Sequence, residues 1–274
     1  MIEQHDAVLR LLRDDDPSTV ELVKCQLARA GIEALPDLRE LLAVADRQAA
    51  RPLREMIATI ERESADEIFS RMCERFREAD LEETVWQLAA TFLPGEDFQP
   101  QRTKLDDWGA EISRRFRKAS TEVDRIEMLV EYLGDEVRLR GNDEDYYNIN
   151  NSLLPEVIDS RLGIPISLSM LYVFVGKRCN LPIRGVGLPG HFLIRYREHF
   201  FDPFHRGRRI GLEECRALVE QQNLELTASH LEPTTGRQML IRMLTNIHAL
   251  ASERDPELGG KVRTWAGILH AGTR

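Results

Sequence analysis

The sequence predicts an α+β protein in which helical segments flank a core of helices packed on a small antiparallel sheet. Three observations carry this. Apolar residues recur with helical period from the start of the chain to about residue 138. The period shifts towards strand once, after Asn180 and Pro182, in "IRGVGL", "HFLIRYR" and "HFFDPF". It returns to helical in "GLEECRALVEQQ" at residues 211–222. The same reading divides the chain into a HEAT-like helical segment (1–64), a core (65–222) and a helical tail (223–274).

In the first segment, "DDDPSTVELVKCQLARAG" puts Pro17 near a helix start, Val20, Val23 and Leu27 on one stripe, and Gly31 where a C-terminal cap belongs. Further helices are expected after Pro36 and from Pro52. Short helices with such turns resemble one or two HEAT-type repeats, too few for a free-standing solenoid, so their stripes are expected to bury against the core. From "ADEIFSRMCERF" onward the pattern stays helical, with Trp86 and Trp108 as core anchors. Leu153, Leu154, Val157, Ile158 and Leu162 form a stripe that Gly163 ends. Pro165 then opens a buried helix with Leu168, Leu171, Tyr172 and Val175 on one face. The tail reads as a helix over "PTTGRQMLIRMLTNIHALASERD", capped by Thr234 or Thr235, docked on the core.

A net charge of −9 argues against general attraction to nucleic acid or an anionic membrane. The basic run "SRRFRKAS" at 113–120 fits the solvated side of an amphipathic helix. No stretch approaches the roughly 18–20 apolar residues of a membrane span, and the first residues lack the order of a secretion signal, so a cytoplasmic location is expected. Cys25, Cys73, Cys179 and Cys215 are far apart and lack metal-ligand spacing. They are read as mostly buried, reduced thiols; no metal site and no cofactor is expected.

Chemistry concentrates at His191. If "HFLIRYR" and "HFFDPF" form a hairpin through a two-residue turn at Arg197-Glu198 or Glu198-His199, His191 and Asp202 share a face. With the first turn they are diagonal neighbours roughly 7 to 8 Å apart at the backbone, within reach of a carboxylate–imidazole hydrogen bond. A three-residue turn would separate them. Such a pair fixes the ring tautomer of a general base; a satisfied polar contact has the same spacing. His199 and His205 fall in or beside turns and are expected at the surface. Gly185, Gly187, Pro189 and Gly190 either shape the turn before His191 or leave room for an extended peptide.

The run "RLGIPISLSMLYVFVGKRCNLPIRGVGLPGHFLIR" followed by "FFDPF" resembles the transglutaminase-like superfamily, and within it the bacterial SirB family. SirB members share the motif from Asn151-Ser152 through Gly-Ile-Pro-Ile-Ser to Leu-Pro-Gly-His-Phe, and the resemblance covers roughly residues 65 to 250. In the superfamily a cysteine opens the helix, a histidine begins one strand and an aspartate lies on the next. His191 and Asp202 match the last two. The resemblance further implies a cleft involving Asn151, Ser152, Pro165, Gly187 and Gly190, and a tail akin to one tetratricopeptide unit, too short to form a groove.

The departure is at the nucleophile, because Gly163-Ile164-Pro165 stands where the superfamily's enzymes carry Gly-x-Cys. Ser167 lies in the first helical turn, where a nucleophile benefits from the helix dipole, but it is rotated about 200° from the cysteine direction. Ser169 faces the right way, one turn deeper. Both serines also suit cap or packing roles. Three functions are open: a non-catalytic binding or regulatory protein that recognises a peptide or protein at the His191/Asp202 cleft; a hydrolase or acyl-transfer enzyme using Ser167 or water; and a structural protein that interacts through its helical ends. Cysteine-dependent transamidation is not expected, since no thiol is placed to be activated by His191.

Overall fold

Asp46 accepts a hydrogen bond from the Ala49 backbone N–H at 3.0 Å, and this cap starts the long fourth helix at Arg47. In the computed structural model, which describes residues 2–14, 16–28 and 31–272, the chain begins with α1 (Ile2–Leu11), α2 (Pro17–Ala28), α3 (Leu35–Val44) and α4 (Arg47–Glu74). Pro17 and Pro36 stand at helix starts as the sequence predicts, whereas Pro52 lies inside α4. The expected start at Pro52 is corrected by the Asp46 cap, which the proline signal had masked. The cap expected at Gly31 adjoins residues 29–30, which lie outside the described residues; Gly31, at φ +61°, opens a 3-10 turn.

The chain forms two compact units, Met1–Arg71 with Ala90–Glu96, and Met72–Ala89 with Asp97–Arg274. The expected boundary at 64/65 falls within the continuous α4, and residues 223–274 belong to the second unit. In the first unit the stripes of α1–α4 close on one another: Leu12, Leu38, Leu53 and Ile60 are each no more than 2% exposed in one apolar cluster. This segment thus has an apolar core of its own, where the count of its stripes predicts burial against the rest of the chain.

The second unit holds α5 (Leu81–Phe92) as far as Ala89, then α6 (Gln99–Arg115) and α7 (Glu122–Glu131), whose end widens into a π-helical turn at Tyr132–Glu136. Trp86 and Trp108 are buried as expected. In the basic run, Arg114 and Arg115 pair with Glu111, and Arg115 also with Glu136. These are solvated-face contacts.

Next come β1 (Arg140–Gly141), α8 (Leu154–Ser160), β2 (Leu162–Gly163) and α9 (Pro165–Arg178). α8 ends where Arg161 turns left-handed at φ +67°, so Leu162 and Gly163 leave the helix and pair in parallel with β1. The main sheet comprises β3 (Arg184–Leu188), β4 (His191–Tyr196), β5 (His199–Asp202) and β6 (Arg208–Ile210), antiparallel in that order. Val186, Leu188, Leu193, Phe200 and Ile210 pack with Cys215 and Val219 of α10 (Leu212–Glu220), and α9 packs on β4. The outer edge of β3 is covered rather than open: Thr234 N–H donates to the Gly185 carbonyl at 2.8 Å, and Val186 bridges to Pro233.

The tail is a helix pair, α11 (Gly236–Arg254) and α12 (Pro256–Ala271), packed on each other. Thr235 caps α11 by accepting the Gln238 N–H at 3.2 Å. α11 also packs on α9 and on the 3-10 turn Ile149–Ser152. No described helix is long and apolar enough to cross a membrane.

Candidate functional site

Two tight turns place the histidine and the aspartate. Pro189-Gly190 joins β3 to β4 with Gly190 at φ +73°, so His191 is the first residue of β4 and pairs with Leu188. Arg197-Glu198 joins β4 to β5, because Tyr196 pairs with His199. This is the first of the two turns read from the sequence. Continuing the Ile194–Phe201 register makes His191 and Asp202 diagonal neighbours on one face. His191 Nε2 lies 2.9 Å from Asp202 Oδ2, and both residues are buried.

The chain then folds back. Pro203–His205 form a 3-10 turn capped by Asp202, whose Oδ1 accepts the Phe204 N–H at 3.0 Å. Arg206 and Gly207 reverse direction at φ +58° and +75°. Gly207 N–H donates to the Asp202 carbonyl at 2.8 Å. This returns His205 to the carboxylate, with Nδ1 2.8 Å from the same Oδ2. His205 therefore keeps the surface position expected of it, yet belongs to the cluster.

Burial of Asp202 works against its charge, but hydrogen bonds and proximity to His191, and then to His205, outweigh it and hold the carboxyl below its usual 3.8. An ionised carboxylate only accepts, so both imidazoles donate to Oδ2. His191 is thereby left with Nδ1 as its basic nitrogen, the arrangement a general base requires. Phe204 packs edge-on to His191 at 6.0 Å, Tyr146 on Phe204 at 6.0 Å, and Tyr147 on Tyr146 at 5.3 Å. Tyr147 is 70% exposed, so an aromatic path runs from solvent to the imidazole.

The structure places the remaining candidates in supporting positions. Ser167 Oγ donates to the Asn151 carbonyl at 2.6 Å and accepts the Ile164 N–H at 3.1 Å. It pins the first turn of α9 to the preceding loop, and the structure does not pair it with His191. Ser169 Oγ donates to the Phe192 carbonyl at 3.5 Å. Asn151 donates to the carbonyls of Asp145 and Tyr146 and accepts from Asn142, shaping the loop that carries the tyrosines. Ser152 and Pro165 are buried. The space beside Gly187 is filled by Thr234 and Phe192, and beside Gly190 by Gln222. These contacts support the packing and turn-shaping reading of the two glycines. Sequence reasoning misses the part played by His205, Phe204, Tyr146 and Tyr147; the Asp-x-x-His spacing in "DPFH" is the one signal available for them.

His191, Asp202 and His205 offer three ligand atoms within 4.8 Å of one another. A cation there would have to replace both imidazole–carboxylate hydrogen bonds. A groove of about 640 Å³ lined by Leu81, Phe174, Ile183, Gly185, Thr234 and Met239 shares no residue with the pair.

No thiol opens α9. Cys179 lies at its far end, donating to the Val175 and Gly176 carbonyls at 3.3 Å. Cys73, Cys179 and Cys215 are buried and free, in line with the reading of mostly buried thiols, and Cys25 is exposed. Burial pushes Cys73 up to about 12 and Cys179 up to about 11, and raises Cys215 as well. Iodoacetamide at pH 8 is therefore expected to alkylate Cys25 alone in folded protein, read by peptide mass mapping. Labelling of Cys215 before unfolding would show a reactive thiol beneath the sheet.

Residues 99–245 match the family model described as the transglutaminase-like superfamily. The chain belongs to that superfamily. Among its relatives, a UPF0162 protein of Xylella fastidiosa is 35% identical over 134 residues, covering 45% of this chain and 48% of that protein. A UPF0162 protein of Pseudomonas aeruginosa is 28% identical over 177 residues, covering 62% and 64%. Mouse F-box only protein 21 is 32% identical over 130 residues, covering 43% of this transglutaminase-like chain and 20% of its own length. The chain thus spans about half the length of the Xylella relative. No solved structure matches it.

Proposed function

We propose that this transglutaminase-like protein, of SirB type by its motifs, is a non-catalytic binding or regulatory module that recognises a peptide or protein at the face around His191 and Asp202. The supporting observation is that α9 opens on Pro165, with no thiol at its start, beside a retained His191–Asp202 pair and an aromatic path ending in exposed Tyr147. Aromatic side chains with one wet end are favoured at recognition surfaces, because they bury much area for little lost rotamer freedom. The small share of F-box only protein 21 that the similarity covers fits a module used in larger proteins.

A second reading, hydrolysis by a water activated at His191 Nδ1, draws on the Asp202 hydrogen bond that orients the ring. Water suits this better than Ser167, whose proton is committed to the Asn151 carbonyl. One experiment separates the two. Peptides selected from a random display library on the wild-type protein are expected to lose at least about tenfold in affinity on Tyr147→Ala, the range of a modest interface anchor, with thermal stability unchanged. An amide and ester panel is expected to show no turnover above His191→Ala. Turnover that His191→Ala abolishes would put the hydrolase first.

A further inference from the structure

Resting on the reading of this face as a peptide-binding surface, we infer that Arg242 makes it selective for a carboxylate. Arg242 sits on α11 and is half-buried. Its hydrogen bond is a long one, from Nη2 to the Leu188 carbonyl at 3.5 Å. Leu188 is the register partner of His191 across the Pro189-Gly190 turn. Tyr146, whose ring leads through Phe204 to His191, is the ionisable group near enough to bias the guanidinium. Among the described residues no carboxylate pairs with Arg242.

Other half-buried arginines of the unit are better satisfied: Arg161, Arg195 and Arg237 donate to backbone carbonyls at 2.6, 3.0 and 2.8 Å, against the single 3.5 Å contact of Arg242. Arg178 binds Glu82 and Asp106, and Arg115 binds Glu111 and Glu136. A guanidinium withdrawn from water without an anionic partner is costly, and burial alone lowers the tendency of Arg242 to hold its proton. A ligand carboxylate would satisfy it. The planar fork binds a carboxylate through two parallel hydrogen bonds, a geometry a lysine does not offer. The ligand is thus a peptide bearing a carboxylate, laid across Tyr147 and Tyr146 with its acidic group at Arg242. That group is either an Asp or Glu side chain or a free C-terminus.

The test uses three pools of labelled hexapeptides on the full chain: a fixed central Asp or Glu with an amidated C-terminus, a fixed Asn or Gln with an amidated C-terminus, and a fixed Asn or Gln with a free C-terminus. One of the two carboxylate pools is expected to bind at least about tenfold more tightly than the neutral pool, the worth of a charge-assisted hydrogen bond; which one identifies the source. Arg242→Met should bring that pool to within about twofold of the neutral pool and leave neutral binding as it was. Arg242→Lys should restore only part of the preference. The melting temperature of Arg242→Met should not fall, since the methionine keeps the buried stem and removes the unpaired charge. Equal binding of all three pools, a preference that survives Arg242→Met, or a lowered melting temperature would overturn the inference and leave the peptide-binding reading standing. Absence of binding in all three pools would end both.

Discussion

Replacing Gly134 by alanine is expected to destabilise the second unit by roughly 3 kcal/mol, the upper range for overpacking a filled site, and to loosen the site from behind. Gly134 lies in the π-helical turn, and a Cβ there would stand 2.0 Å from the Arg206 carbonyl oxygen and 2.7 Å from its carbon. These are backbone atoms, so no rotamer change relieves the overlap. Arg206 is itself held at φ +58°, in the turn that brings His205 back to Asp202. Displacing it would pull the His205 hydrogen bond apart. Gly141→Ala meets the Phe204 ring instead, a side chain with more freedom to move, and should cost less. Denaturant unfolding of wild type and both variants reads the difference. A Gly134→Ala loss below about 1 kcal/mol, the ordinary range for a substitution without a named mechanism, would show that the turn yields.

How far the sequence discloses the fold depends on the range of the physics involved. The His191–Asp202 contact was legible because strand period and a two-residue turn fix relative position by local geometry alone. α10 and α11 were legible for the same reason: their stripes and the Thr235 cap lie within their own residues. β1 and β2 were not, since two residues each cannot show alternation and their pairing joins residues 140–141 to 162–163. His205 reaches Asp202 only through a left-handed Arg206, a conformation nothing in that residue type announces. Ser167 stands out by its place at a helix start, but its hydroxyl answers to the Asn151 carbonyl, sixteen residues earlier in the chain. Arg242 lies outside every motif; its meaning depends on which acids are missing around it in space.

Asp202→Asn should remove about 3 kcal/mol of stability at pH 7, comparable to the loss of one to two charge-assisted hydrogen bonds left without an acceptor. The carboxylate, 1% exposed, accepts from His191 and His205 on Oδ2 and from the Phe204 N–H on Oδ1. An amide keeps an oxygen for Phe204 but turns its NH2 towards two imidazole N–H groups, so at least one ring must change tautomer or move. The pH dependence has a definite sign. Because the folded-state pKa of Asp202 is held below 3.8, the folded form binds this proton less readily than the unfolded form. Its contribution is therefore fully present above the unfolded value near 4 and is lost as pH falls through the lower folded value. Denaturant unfolding across pH should show the gap between wild type and Asp202→Asn staying open from pH 8 to about 5 and closing only below about 4. A gap that closes between pH 7 and 5 would mean that a group other than Asp202 carries the charge of the cluster, and the assignment of both imidazoles as donors would fall with it.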